Sequence, residues 1–420
     1  MLVVMVALFA LSVPIAVAIA AAAIGGITLF TTMPMIVVAQ KLMTSIDSFP
    51  LMAVPFFILA GNLMEAGGIS RRLVDFAKAI VGNVQGGLAC SCVLTCMIFA
   101  SVSGSSVATT FAIGSIIIPA MIQHKYPKEF AAALQATSAE LGVVIPPSIP
   151  MILYGVSAEV SIGEMFIAGI GPGLLIGGAL TLFVYVTCRM NGWGKDDREG
   201  RIGFVKATER AALALIMPVI ILGGIYRGVF TPTEASVVAV FYAFFVGMFA
   251  YRAITWADLG PILRKSVLSS AVIMFIIATA GLFSFLITRA GVPAAVGAWI
   301  SQVIESPWLF LLAVNVFLFV VGMFIETSAS IIVLAPILAP VAVHFGVDPV
   351  HFGMIMVVNL AMGMITPPFG VNLFAACQVA GISLEQMIGR LIPFVLVVVA
   401  CLMIITYVPQ VPLFFRGLVY

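Results

Sequence analysis

Apolar residues run through the chain in stretches of about 20, the length a helix needs to cross a bilayer core about 30 Å thick. Residues 2–24, 27–46 and 50–66 read as three such helices, the third ending at Gly67-Gly68. Next, Ile69, Leu73, Phe76, Ala77 and Ile80 recur at helical spacing with Arg71, Arg72, Asp75 and Lys78 opposite, which predicts an interfacial amphipathic helix over 69–81. Residues 85–123 are too long for one crossing and carry Ser and Gly at their midpoint, so they read as a re-entrant hairpin. Residues 129–156 form a helix broken at Pro146-Pro147, and 161–188 a full crossing. The second half follows suit: crossings at 209–226 and 232–252, an amphipathic piece at 256–265, a crossing at 267–288 and an interfacial piece at 292–303. A hairpin at 307–343, a broken helix at 350–379 and a last crossing at 384–408 complete it.

The two halves match at an offset of 221 positions: Ser106 falls on Thr327, Pro119 on Pro340, Pro146-Pro147 on Pro367-Pro368, Glu164 on Glu385 and Pro172 on Pro393. The expected division is a first repeat over 1–188, a linker over 189–207 and a second repeat over 208–420, with a polar loop at 189–210 between them. If each hairpin enters and leaves on one side, each half crosses the membrane an odd number of times, and the repeat is inverted. Charge supports this layout. With the polar loop in the cytoplasm, only Lys41, Arg227, Arg289 and Arg416 of the 19 Lys and Arg fall outside. Both termini then lie on the outer face. The predicted fold is an all-α polytopic membrane protein, an inverted repeat with two re-entrant hairpins and two discontinuous helices.

Composition narrows the class. A chain 63% hydrophobic with 9% charged residues has too few charges to cover a water-exposed surface. The net charge of +2 points to no nucleic-acid partner. Aromatic content led by 31 Phe suits a helical bundle better than a barrel of alternating polar positions. Cys90, Cys92, Cys96, Cys188, Cys377 and Cys401 sit in apolar runs and read as packed thiols, not as a disulfide framework or a metal site. The first run has no basic lead and reads as a retained helix, not a signal peptide. There is no GxxxxGK[ST] loop, GxSxG elbow or HExxH pair, so neither ATP drive nor catalytic residues are expected. An ion gradient must supply the energy, and one charge moving through 100 mV contributes about 2.3 kcal/mol.

The breaks are the candidate sites. Broken backbone in hydrocarbon is tolerated only where protein, water or a ligand satisfies it. Carbonyls ending a half-helix suit Na⁺, and half-helix N-termini suit a carboxylate. A first sodium site is expected from Ser103, Gly104 and Ser106 with Val144 and Pro146, and a second from Gly322, Glu326 and Thr327 with Gly363 and Thr366. An isolated carboxylate at helix centre costs about 2.5 to 3.5 kcal/mol, so Glu326 calls for a cation, a proton or an arginine. Glu140, just before the first break, is open between a site role and local backbone bonding. His124, His344 and His351 lie near predicted loops and read as interface residues.

SVSGSSVATT (101–110), VVIPPSIPMILYGV (143–156), FTPTEASVVAVFYA (230–243), GMFIETSASIIVLAPILAP (322–340) and GMITPPFGVNLF (363–374) together resemble the large membrane subunit of tripartite ATP-independent periplasmic (TRAP) transporters. The resemblance spans essentially the whole chain. It implies an elevator-type carrier in which both hairpins and both broken helices form a transport domain sliding on a scaffold. It also implies Na⁺ symport of an organic acid such as a C4-dicarboxylate, a sialic acid or a sugar acid. Two partners are implied: a small four-helix membrane subunit, expected as a separate polypeptide, and a periplasmic substrate-binding protein. The setting would be the bacterial inner membrane, with no cofactor and no metal beyond Na⁺. Carried over residue by residue, Ser105, Ser148, Glu326 and Asn372 would bind substrate, with Ser103 beside them; Glu326 stands where family members often have Asp. No intramembrane Arg awaits a second carboxylate, which favours a monocarboxylate. Two other readings stay open: a divalent-anion/Na⁺ symporter of similar architecture that needs no binding protein, and a non-transporting scaffold or channel.

Overall fold

The computed structural model describes residues 4–419 apart from 6, 9, 10, 12, 82, 83, 196–202, 305 and 369. Among them the regular structure is helical throughout, and nine helices, or up to ten if one bent pair counts as a span, are long and apolar enough to cross a membrane. Positions 2, 3, 6, 9, 10 and 12 of the helix expected over 2–24, and the linker positions 196–202 with Arg198 and Arg201, lie outside the described residues.

Helix α1 (Ile15–Phe30) runs straight through Gly25-Gly26, where the sequence pattern placed a boundary, and α2 spans Ile36–Ile46. A glycine weakens a helix by only about 1 kcal/mol relative to alanine, which burial of Ala22, Ala23, Gly26 and Ile27 offsets. The chain breaks instead at 31–34, where Pro34 drives the residue before it out of helical geometry. Helices α3 (Ala53–Ala66) and α4 (Ile69–Val81) follow. The buried stripe of α4 is Ile69, Leu73, Val74 and Ala77, rotated from the expected one so that Ile80 is exposed. Arg72 stacks 3.7 Å from the Tyr251 ring.

Helices α5 (Gly87–Ser103) and α6 (Ser106–Gln123) pack on each other about a turn at Gly104-Ser105. The next segment is α7 (Lys128–Ala139) and α8 (Leu141–Val144), then α9 (Ile149–Ser157), bent by 43° across a cis Pro146-Pro147. Helix α10 (Ile162–Asn191) and α11 (Phe204–Tyr226) both extend into the stretch expected as a loop. Thr-Pro-Thr-Glu spells a capping box for α12 (Pro232–Phe245): Thr231 N–H donates to Glu234 Oε2 at 2.8 Å, and Glu234 N–H to Thr231 Oγ1 at 3.3 Å. The amphipathic piece and the crossing expected at 256–288 are one helix, α13 (Trp256–Arg289), because no stop signal separates Lys265 from Val267. Then come α14 (Val292–Val303), α15 (Pro307–Phe324), α16 (Thr327–His344), α17 (Pro349–Gly363), α18 (Val371–Ala380) and α19 (Leu384–Tyr407). A second cis Pro-Pro, at 367–368, separates α17 from α18. Unlike α5 and α6, helices α15 and α16 touch each other little; both lean on α17 instead.

The halves exchange parts. Half-helix α9 packs on α16, and α18 packs on α6; likewise α10 packs on α17, and α19 on α7. Tyr154 on α9 donates its hydroxyl to the Pro349 carbonyl at 2.8 Å, and Phe130 of α7 lies 5.6 Å from Phe394 of α19. Helices α1, α2 and α3 gather on α13, with α12 against α3. The six cysteines are buried among the helices. His351, expected at an interface, is buried and bonds through Nε2 to the Ile405 carbonyl at 2.8 Å.

Candidate functional site

Gly104 ends α5 at φ 60°, a left-handed conformation that a side chain would strain, and Ser105 turns extended to cap α6 by accepting Ala108 N–H at 3.4 Å. Hydroxyls knit this turn together. Thr109 Oγ1 donates to the Ser105 carbonyl at 2.7 Å, and Ser103 Oγ lies 3.0 Å from Thr109 Oγ1 and 3.3 Å from the same carbonyl. The first break lies directly against it. A Cβ on Gly142 would sit 2.8 Å from both the Ser105 carbonyl oxygen and Thr109 Oγ1, and one on Gly104 would meet the Pro147 carbonyl at 3.0 Å. Ser148 spends its proton on the Val143 carbonyl at 2.6 Å, Val144 ends α8, and both Val144 and Pro146 are buried. The oxygens gathered here are neutral hydroxyls and carbonyls, hard donors of the kind alkali cations take. Among the described residues no group of three His, Cys, Asp or Glu could hold a metal ion.

The second turn reaches the second break by a different contact. A Cβ on Gly363 would fall 2.2 Å from the carbonyl carbon of Gly322, so the two backbones touch where α15 crosses α17. Glu326, half-buried, faces its own helix: Oε2 accepts Ala329 N–H at 3.1 Å and Oε1 accepts the Ser328 hydroxyl at 2.9 Å. The carboxylate thus lies at the N-terminus of α16, a favourable place for negative charge. Thr327 is buried with no hydrogen-bond partner for its hydroxyl among the described residues, and Thr366 Oγ1 donates to the Met362 carbonyl at 2.9 Å. Ser106 Oγ, 3.8 Å from Met364 Sδ, links the first turn to the second break.

Between these lies a pair that the sequence pattern did not join. Asn372 donates to Glu140 Oε1, both residues are buried, and neither Glu140 Oε2 nor Asn372 Oδ1 has a partner among the described residues. Asn372 therefore sits in the contact between the two halves. A second buried network, Asn359 Nδ2 to Asn315 Oδ1 at 2.8 Å and Asn315 Nδ2 to Thr406 Oγ1 at 3.0 Å, ties α15, α17 and α19. Its only sequence signal is amide side chains inside apolar runs.

Two cavities flank the assembly. One of about 560 Å³ lies between the first turn (Ser103, Ser105) and helices α3 and α13, which contribute Asn62, Glu65, Lys265 and Ser269. The other, about 590 Å³, lies where α16 meets α9 and α13 and is bordered by Glu164 and Arg416. Arg416 bridges Glu164 and Asp348 at 2.7 Å each. Burial would push the Asp348 carboxyl up, but bonds from Arg416 and from the amides of His351 and Val350 hold it below the usual carboxylate range.

Comparison with known proteins now bears on the site. Residues 2–411 match the family model of the tripartite ATP-independent periplasmic transporter, DctM component. The chain is 44% identical to the isethionate TRAP transporter permease protein DctMQ of Oleidesulfovibrio alaskensis over 96% of its own length and 64% of that protein's. It is also 44% identical to the C4-dicarboxylate TRAP transporter large permease protein DctM of Pseudomonas aeruginosa, over 89% of this chain and 88% of that one. In fold it is similar to the Alcanivorax borkumensis YdaH transporter, with TM-score 0.67 at 15% identity, covering 93% of this chain and 91% of the other.

Proposed function

The chain belongs to the family of the DctM component of tripartite ATP-independent periplasmic transporters, a transport protein and not an enzyme, and we propose that it carries a small organic anion inward across the bacterial inner membrane, driven by Na⁺. The observation that carries this reading is the contact of the first turn with the first break beside a cavity of about 560 Å³. Neutral oxygens for a cation and room for a small ligand meet at one place.

The relatives act on a sulfonate and on dicarboxylates by name, which supports a small anionic substrate, a carboxylate in this chain. The work is shared with a small four-helix membrane subunit and a periplasmic substrate-binding protein. The two halves form an inverted repeat with both termini outside. Their exchange of α9 and α18 supports this arrangement, as does the match of Gly142 to Gly363 at the same offset. Helices α5 to α9 and α15 to α18 move as one transport domain against a scaffold of the remaining helices, in an elevator motion. Na⁺ sits at Ser103, Gly104 and Ser106 with Val144 and Pro146, and again between Gly322 and Gly363 with Glu326, Thr327 and Thr366; Ser105 and Ser148 face the substrate.

The test is reconstitution of the chain with its small subunit in liposomes, followed by uptake of succinate, isethionate and gluconate under an inward Na⁺ gradient, with and without the binding protein. Uptake only with the binding protein and the gradient is expected. Gradient-independent flux would overturn the reading. Uptake without the binding protein would favour a self-sufficient symporter.

A further inference from the structure

The cavity beside the first turn has three walls. Helix α3 presents Ile58, Gly61, Asn62 and Glu65, and α13 presents Lys265, Ser269 and Ile273 at successive turns. The hairpin closes the third side with Ser103, Ser105, Val107, Ala108 and Phe111. Most of this lining is apolar or carries neutral hydroxyls and amides. Lys265 is the one cation among its lining residues, and Glu65 the one anion. They pair, Nζ to Oε2 at 2.9 Å, while Asn62 beside them is held by Ser266 Oγ at 2.9 Å.

That ion pair is built to open. Its side chains retain 59% and 33% of their exposure, and an ion pair so exposed holds its partners only weakly. Separating it costs little. An incoming carboxylate offers the ammonium the same charge and geometry, and adds the hydroxyls of the hairpin turn. We propose that Lys265 is the anion anchor of this cavity: the substrate's carboxylate takes the ammonium from Glu65, which turns to water, while Ser103 and Ser105 receive the remainder of the molecule. The inference rests on the transport reading above and adds to it a substrate contact on a helix outside both turns and both breaks. Lys265 fixes charge and Glu65 acts as a competitor, so the two halves of one ion pair have opposite effects on affinity.

That opposition is the test. The full chain, purified with its small subunit in detergent, is titrated with succinate, isethionate and gluconate, and the same proteins are assayed for uptake in liposomes. Lys265→Gln weakens binding of the preferred anion about tenfold or more, Lys265→Arg retains it, and Glu65→Gln tightens it several-fold. Weakening by both Lys265→Gln and Glu65→Gln, or an unchanged affinity in both, marks a merely structural ion pair and overturns the anchor. So does a wild-type protein that binds none of the three anions. Anion binding with these opposite effects but no Na⁺-driven uptake would retire the transport reading and leave the anchor standing.

Discussion

The two turn-and-break assemblies are built on one plan and filled with different chemistry. In each, a glycine at the same repeat position, Gly142 or Gly363, lets the end of a helix lie on the neighbouring turn. In the first, the turn is Ser-Gly-Ser, closed by hydroxyls, with α5 and α6 packed together and a cavity alongside. In the second, α15 and α16 are parted by α17, the contact is backbone on backbone, and a carboxylate caps the outgoing helix. Close approach of the backbones is common to both assemblies. The donors around it differ, so positions matched 221 residues apart need not carry equivalent ions.

The sharpest way to break this comparison is to fill the glycines. Gly363→Ala places a carbon 2.2 Å from backbone that cannot yield, whereas Gly142→Ala meets its nearest atoms at 2.8 Å. Overpacking costs about 1 to 3 kcal/mol or more. Gly363→Ala should abolish uptake and lower the melting temperature in detergent further than Gly142→Ala; the reverse order would dissolve the distinction. Next in size is Asn372→Ala, which leaves the Glu140 carboxylate buried with no partner and should cost about 1 to 3 kcal/mol. Adding Glu140→Gln should recover part of that loss in a double-mutant cycle, and purely additive effects would refute the coupling.

Glu326→Gln keeps an acceptor oxygen for Ala329 N–H but removes the charge. Stability should fall by no more than about 1 kcal/mol, with Na⁺-coupled uptake lost; full coupled uptake would reduce Glu326 to a cap. Ser103→Ala should raise the Na⁺ concentration for half-maximal uptake roughly fivefold, a loss of about 1 kcal/mol, and an unchanged activation curve would remove that hydroxyl from the first ion site. The smallest effect concerns Asp348. Its carboxyl is held low in the folded protein, so its pairing stabilises fully above the ordinary carboxylate pKa and is lost as pH falls through the depressed value. A wild-type melting curve should therefore weaken at acid pH more than that of Asp348→Asn.

Much of this was legible from the sequence because it is written locally. Apolar runs of bilayer length, the Ser-Gly-Ser turn and the Pro-Pro breaks are each contiguous in the chain and give their elements directly. What escaped is long-range. Glu140 meets Asn372 across 232 positions, and Glu65 meets Lys265 across 200. Neither pairing has a local signature, and Lys265 looked like the polar end of an amphipathic piece until α13 proved continuous. Glu326 is a different case: its sequence position calls for a charge partner, and the structure adds a local one, the Ala329 amide and Ser328 hydroxyl of its own helix. The boundary set at Gly25-Gly26 failed because paired glycines weaken a helix less than one proline a few residues later redirects it.

The exchange of half-helices also has a consequence in time. Helix α9 rests on α16, which begins about 170 residues after α9 ends. At roughly 5 to 20 residues per second of synthesis, the short helix waits on the order of 10 to 30 s for its partner to leave the ribosome. Throughout that interval the first half is an unfinished object in the bilayer, and its schedule is set by the pace of translation.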